Sequence, residues 1–219
     1  MEEVHIFRRG GISIMHPRLA VQDWHAKFQH LENIVDGLGH GLDPGIKRTV
    51  LAFQLMGLKT VHSCEGHANW AMAAPVVRFE CWAPLPAELR AKFDAETISD
   101  NEYNRIWREF HVPHYAKIYW HLKQQWLNPF YENRLFDSDI AIGLTGRSIG
   151  HMDISSLSSG ESSFLPPTER DKLLIDCRQE MDDFTDFVLD KLFEGNIPQQ
   201  IQDLPRLTEQ PLKQNDIRR

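Results

Sequence analysis

The sequence predicts an α+β fold, a single domain in which a small mixed or antiparallel sheet of about four strands packs against amphipathic helices. Three observations carry this expectation. Two long stretches repeat apolar residues at helical spacing, several short runs alternate apolar with polar residues, and the composition suffices for one core. The chain has 219 residues, 42% of them hydrophobic and 10% aromatic, and at that length roughly 70% of the unfolded surface is buried on folding. The expected domain covers residues 1–196, and residues 197–219 read as a polar, partly disordered C-terminal tail.

In chain order, Val4 to Phe7 and Ile12 to Met15 flank Gly10-Gly11 and read as a terminal strand or hairpin. From Pro17 to Gly37, Ala20, Trp24, Phe28, Leu31 and Val35 fall on one helical stripe. Asp43-Pro44 then supplies an N-cap and a first-turn proline for a helix reaching Met56, which Gly57 ends. A short β-branched segment, residues 58–64, runs into a glycine-containing turn. Pro75 to Trp82 alternates, with Val77, Phe79 and Cys81 on one face and Arg78 and Glu80 on the other. Pro86 to Glu96 reads as a short helix, and Glu102 to Trp126 as a helix interrupted at Pro113. Arg134 to Thr145 and Ile149 to Ser156 form a hairpin turning at Gly146-Arg147-Ser148. A final helix from Pro167 to about Gly195 carries Leu173, Cys177, Met181, Phe184 and Val188 inward, leaving Asp182, Asp183, Asp186 and Asp190 as its wet face.

Charge and cysteine usage narrow the function classes. The net charge is 24 − 31 = −7, and without a basic cluster general DNA binding is not expected, although a local RNA contact stays open. Cys64, Cys81 and Cys177 are an odd, widely spaced set, read as free thiols. No apolar run approaches the roughly 20 residues that span a bilayer. Residues 1–9 lack the order of a secretory signal, so a soluble, cytoplasmic protein without membrane partners is expected. No Gly-rich dinucleotide fingerprint occurs, and the sequence names no cofactor.

Chemistry concentrates in His62-Ser63-Cys64-Glu65-Gly66-His67. Alternation puts His62 and Cys64 on one face, and Gly66 lets the turn fold His67 back. His62, Cys64 and His67 are therefore candidate metal ligands, with Glu65, His40 or His151 as a fourth. Alternatively, Cys64 is a nucleophile activated by His62 or His67, with Glu65 as acid or orienting group, so that Cys64, Glu65 and His67 are the catalytic candidates. In a third reading, backbone N–H groups near Gly66 and the His67 imidazole cradle an anion. The bland alternative is a structural turn with a buried Cys64 and a solvated Glu65. If the strands share one sheet, His62, Cys64, Arg78, Glu80, His151 and Asp153 line one polar surface, and with Ser63 they supply the ligand-binding candidates. Trp107, Phe110, Tyr115, Ile118, Leu122 and Trp126 keep near-helical spacing and are assigned to packing in preference to a base-stacking platform.

Leu42-Asp43-Pro44-Gly45-Ile46, Gly57-Leu58-Lys59-Thr60, Ser63 to His67 and Pro75 to Glu80 together resemble a set of uncharacterised bacterial proteins with a Ser-Cys-Glu-Gly-His core. The resemblance covers roughly residues 42–80 and implies a functional turn without naming a substrate. Ser63, Cys64 and Gly66 are also distantly similar to the Ser-Cys-Ser-Gly-Arg motif of the wybutosine-synthesising tRNA methyltransferase family, which implies a compact α+β fold. Glu65 and His67 depart from that motif, replacing its fixed cation with a titratable group. The functional expectation is an enzyme or ligand-binding protein acting on a small anionic or nucleotide-like ligand. The competing expectation is a non-catalytic interaction protein with a structural turn.

Overall fold

The computed structural model describes residues 23–35, 41–67, 74–148, 150–157 and 165–212. The expected terminal hairpin, His40, residues 158–164 and residues 213–219 lie outside them. Four strands form one antiparallel sheet: β1 (Lys59–Cys64), β2 (Val76–Glu80), β3 (Ile142–Ser148) and β4 (His151–Ser156), in the spatial order β1-β2-β4-β3. The α+β expectation therefore holds, and the sheet is antiparallel.

Register explains the two faces. Val77 pairs with Ile154, Phe79 with Met152, and Leu144 with Ile154, so period-2 alternation sends these side chains and Ile142 to one side. All but Leu144 are buried. Helices α1 (Trp24–Glu32), α2 (Lys47–Leu55) and α7 (Pro167–Phe193) supply much of the opposing layer. Phe53 of α2 meets Phe184 of α7 edge to face at 5.9 Å, and Phe184 meets Phe130 at 5.1 Å. Deep in the α2–α7 contact the Thr49 and Thr185 hydroxyls share a 3.0 Å hydrogen bond, which spares both the cost of unsatisfied burial.

Local chemistry sets the element boundaries. Pro44 opens a 3-10 turn, Pro44–Ile46, that runs into α2. Gly57, at φ +91°, closes that helix, and the Leu58 N–H reaches back to the Phe53 carbonyl at 3.1 Å, the six-to-one bond of a glycine-terminated helix. After α3 (Ala87–Asp94), helical backbone runs from Asp100 to Tyr131 as α4 (Asp100–Ile106), α5 (Val112–Leu122) and α6 (Asn128–Tyr131), joined by π-helical turns Trp107–His111 and Lys123–Leu127. Pro113 thus does not interrupt the helix. Each wide turn precedes a proline, Pro113 or Pro129, and the extra residue relieves the clash of the ring with the carbonyl four residues back. For Pro129 that carbonyl belongs to Gln125, and Lys191 Nζ donates to it at 2.6 Å. Ile118, Leu122 and Trp126 enter the core, as their spacing indicates.

Other departures have physical causes. Strand β3 begins at Ile142 and not Arg134, because Arg134 is drawn away to Glu180 (2.9 Å) and Asp183 (2.8 Å) over the Phe130 ring. On α7 the buried residue of the first turns is Leu174 in place of Leu173. The helix also buries polar groups: Arg178, Glu180 and Asp182 face inward, so Asp182 leaves the expected wet face. The stretch after Ile197, expected as a polar, partly disordered tail, forms α8 (Gln199–Gln202) and a 3-10 turn, Leu207–Glu209. It buries Ile201 and Leu207 completely. Ile197, Ile201 and Leu204 step by four and three and pack on the core beside Leu207, but over so short a stretch, punctuated by Pro198 and Pro205, that the spacing does not stand out.

Candidate functional site

The Ser63 to His67 segment is held where β1 meets the rest of the fold. An irregularity between Thr60 and His62 resets the register, after which His62 pairs with Arg78, Ser63 with Val77 and Cys64 with Val76. On the next strand Arg78 pairs with Asp153 and Glu80 with His151. Paired and alternate residues share a face, so His62, Cys64, Arg78, Glu80, His151 and Asp153 stand on the side of the sheet opposite the core. Ser63 does not join them: its pairing with Val77 turns it to the core side. His67 follows the turn, half-buried.

At the centre of this polar face Arg78 grips Asp153 with two prongs, Nε to Oδ1 at 2.7 Å and Nη2 to Oδ2 at 3.1 Å. The carboxylate is 0% exposed, while the arginine side chain is 31% exposed. Asp153 therefore fixes the guanidinium in orientation, and its hydrogen bonds hold Arg78 firmly charged. Bidentate, charge-assisted pairing of this kind is stronger and more directional than a point contact. Lys59 donates to Glu80 at 2.7 Å on the same face, an exposed pair that contributes little to stability. Neighbouring His151 meets Trp82 edge to face at 5.9 Å.

The turn itself points the other way. Glu65 is 0% exposed and Arg178 of α7 is 2% exposed. Arg178 donates from Nε to the Glu65 carbonyl at 3.1 Å, from Nη2 to the Gly66 carbonyl at 3.0 Å and from Nη1 to the Gln210 carbonyl at 2.9 Å. Its Nη2 also lies 3.8 Å from Glu65 Oε1. Gly66 sits at φ +80°, and a Cβ there would fall 2.8 Å from Leu174 Cδ1 and 2.9 Å from the Ala74 carbonyl carbon. Glycine is thus required both by conformation and by space. Gly45 faces the same point: a Cβ on it would lie 3.2 Å from Glu65 Oε2. The Asp43-Pro44-Gly45 and Ser-Cys-Glu-Gly-His segments are therefore parts of one constellation, completed by Arg178.

These contacts sort the chemical candidates. Burial pushes the Cys64 thiol up, as do Asp43 and Glu65, against a smaller downward pull from the Gly66 N–H at 3.4 Å. A thiol held protonated is a poor nucleophile. Glu65 is neither a solvated turn residue nor an acid presented to solvent, since its side chain is turned into the interior. Among the described residues no three His, Cys, Asp or Glu side chains converge as a ligand set, so His62, Cys64 and His67 are not drawn together around a common point. Likewise, no helix among the described residues is long and apolar enough to cross a membrane. An open cleft of about 550 Å³ lies elsewhere, between α1 at Lys27 and His30 and residues 57–60, and holds none of the candidates.

Arg178 and Gly45 are the site residues that pattern reading misses. The signal for Arg178 was present: on a helix whose inward positions are Leu174, Cys177 and Met181, position 178 falls beside the apolar stripe. A charged residue there must have a buried partner. The chain matches no family model, no curated protein and no solved structure.

Proposed function

We propose that the protein binds a small anionic ligand on the polar face of its sheet, with Arg78 as the anchoring cation. The observation that carries this reading is the two-pronged Arg78–Asp153 pair, which spends a fully buried carboxylate on orienting one partly exposed guanidinium. His62, directly across from Arg78, supplies a second polar contact, and Cys64 and His67 form the rim nearest the turn. Nucleotide-like ligands belong to this class because their phosphate presents the same anion to the arginine fork. The reading assigns no reaction to Cys64, whose raised thiol suits a rim residue better than a nucleophile. The acidic net charge and free cysteines are in keeping with a cytoplasmic setting.

The test is thermal unfolding of the full chain with inorganic phosphate and with AMP, repeated on Arg78→Lys, which keeps a cation but loses the fork. A ligand at 10 mM with a Kd of about 1 mM stabilises by about 1.4 kcal/mol. That corresponds to about 3–6 °C in a chain of this size. The shift is expected in the wild type and should vanish in the variant. No shift with either probe, or an equal one in Arg78→Lys, overturns the reading. A second reading, an interaction protein in which the 62–67 turn is purely structural, is favoured by one observation: Arg178 occupies the carbonyls of Glu65 and Gly66.

A further inference from the structure

Residues 206–210 run alongside α7 in a regular ladder. Arg206 pairs with Asp186, the Leu207 and Thr208 N–H groups donate to Asp182 at 3.0 Å each, the Thr208 hydroxyl donates to the same carboxylate at 2.9 Å, and Gln210 offers its carbonyl to Arg178 at 2.9 Å. Asp186, Asp182 and Arg178 are successive members of one row, four residues apart on the helix. The segment therefore reads the row backwards, one contact per helical turn. Its attachment is mostly polar: of these five residues only Leu207 is buried.

What lies beneath this segment is the motif turn. At Gly45 three groups close on one point: a Cβ there would lie 2.5 Å from Gln210 Cγ, 3.2 Å from Glu65 Oε2 and 3.3 Å from Leu207 Cα. The missing methyl lets the segment lie flat over the Glu65 carboxylate. Arg178 then links cover to turn, since the guanidinium that holds Gln210 also holds the carbonyls of Glu65 and Gly66.

We propose that residues 206–210 are a releasable strap over the Glu65–Gly66 turn, whose detachment uncovers Glu65, frees one prong of Arg178 and loosens the turn that carries Cys64 and His67. This regulation rests on the proposed ligand face only in taking Cys64 and His67 as its rim. The segment is joined by buried and part-buried polar bonds and one apolar anchor, with no strand or long helix to hold it, so that it can open locally before the fold unfolds globally. Lifting it withdraws Leu207 from the core but leaves the sheet and the Phe53–Phe184 and Thr49–Thr185 contacts of α2 with α7 in place.

Hydrogen exchange of the full chain, read by peptide, tests this without any ligand. Gly45→Ala inserts a methyl under the strap while leaving every charge untouched, and Arg206→Gln removes the pair with Asp186. In the wild type, peptides spanning 203–212 should exchange at least tenfold faster than Val76–Glu80. Both variants should accelerate residues 203–212 and 64–67 together by a further tenfold or more, with Val76–Glu80 unchanged. Exchange of the strap at the rate of Val76–Glu80 in all three proteins would show that it opens only on global unfolding, which overturns the proposal. So would a faster strap over a turn that exchanges as in the wild type, because the strap would then cover nothing. Failure of phosphate to bind would remove the Arg78 reading and leave the exchange result standing.

Discussion

Arg178→Met should be among the most damaging single substitutions in the protein. The guanidinium is 2% exposed and makes three hydrogen bonds to carbonyls from two segments distant in sequence. Met approximates the length and apolar volume of the stem, so cavity formation contributes little and the loss is electrostatic. Three acceptors lose a charged donor, and the Glu65 carboxylate loses the cation 3.8 Å away. Breaking one side of a buried pair costs about 3–5 kcal/mol. Burial itself opposes charge on Arg178, pulling it below the ordinary arginine range, while Glu65, Cys64, Asp182 and Asp43 pull the other way. The net loss is therefore placed at about 3–4 kcal/mol, a large part of the 5–15 kcal/mol typical of a whole domain. Urea unfolding measures it as a lowered midpoint at unchanged slope. Glu65→Gln added to Arg178→Met should recover about 1–2 kcal/mol, because the double variant no longer holds a buried carboxylate deprived of the Arg178 charge. A loss below about 1 kcal/mol in the single variant, or full additivity of the pair, would refute the account of Arg178 as the clamp of the turn.

Gly66→Ala should cost about 2–4 kcal/mol by the same assay, since it combines a left-handed conformation with contacts under 3.0 Å to Leu174 and to the backbone of Ala74; a loss near zero would mean that the turn rearranges freely. Stability should also fall as the pH drops below about 6.5. His111, His114 and His121 are all pulled below their ordinary value of 6.5, by burial first in each case. Above 6.5 both folded and unfolded chains carry these rings neutral. Below it the unfolded chain takes up protons first, and the loss continues until the folded-state values are passed. His111 has a structural reason to resist, because its Nδ1 accepts the Ala83 N–H at 3.2 Å and protonation abolishes that bond. Asp182, pushed up by burial, works in the opposite sense, its contribution being present at low pH and lost as pH rises through its folded value. A urea midpoint that stays level or rises from pH 7 to pH 5.5 would count against the histidine argument.

What periodicity can reveal divides this molecule cleanly. The Val77, Phe79 and Cys81 alternation and the Trp24, Phe28, Leu31 stripe are local consequences of burying one face, so they are legible in sequence. The shared polar face needed only that alternation plus the assumption of a common sheet, which the antiparallel register meets. Ser63 lies on the core side by that same alternation, between His62 and Cys64, whereas the irregularity between Thr60 and His62 shifts the pairing by one residue and so brings Lys59, opposite Glu80, onto the polar face. No composition signal announces such a shift.

The turn illustrates a harder limit. Glu65 beside Cys64 and His67 has the appearance of exposed chemistry, since a carboxylate after a strand normally seeks water. Its direction is decided by residues remote in sequence: Arg178 supplies the charge, Gly45 supplies the space, and Leu207 and Gln210 supply the cover. Each is unremarkable alone, and only their convergence makes burial of the carboxylate tolerable. The same convergence separates two roles within five consecutive residues. Glu65 and Gly66 look inward and hold the fold together, whereas Cys64 stands on the sheet face that it shares with Arg78. A signal passing between the strap and that face therefore has two routes, the peptide bonds of the turn and the field of Glu65 and Arg178 at the Cys64 thiol.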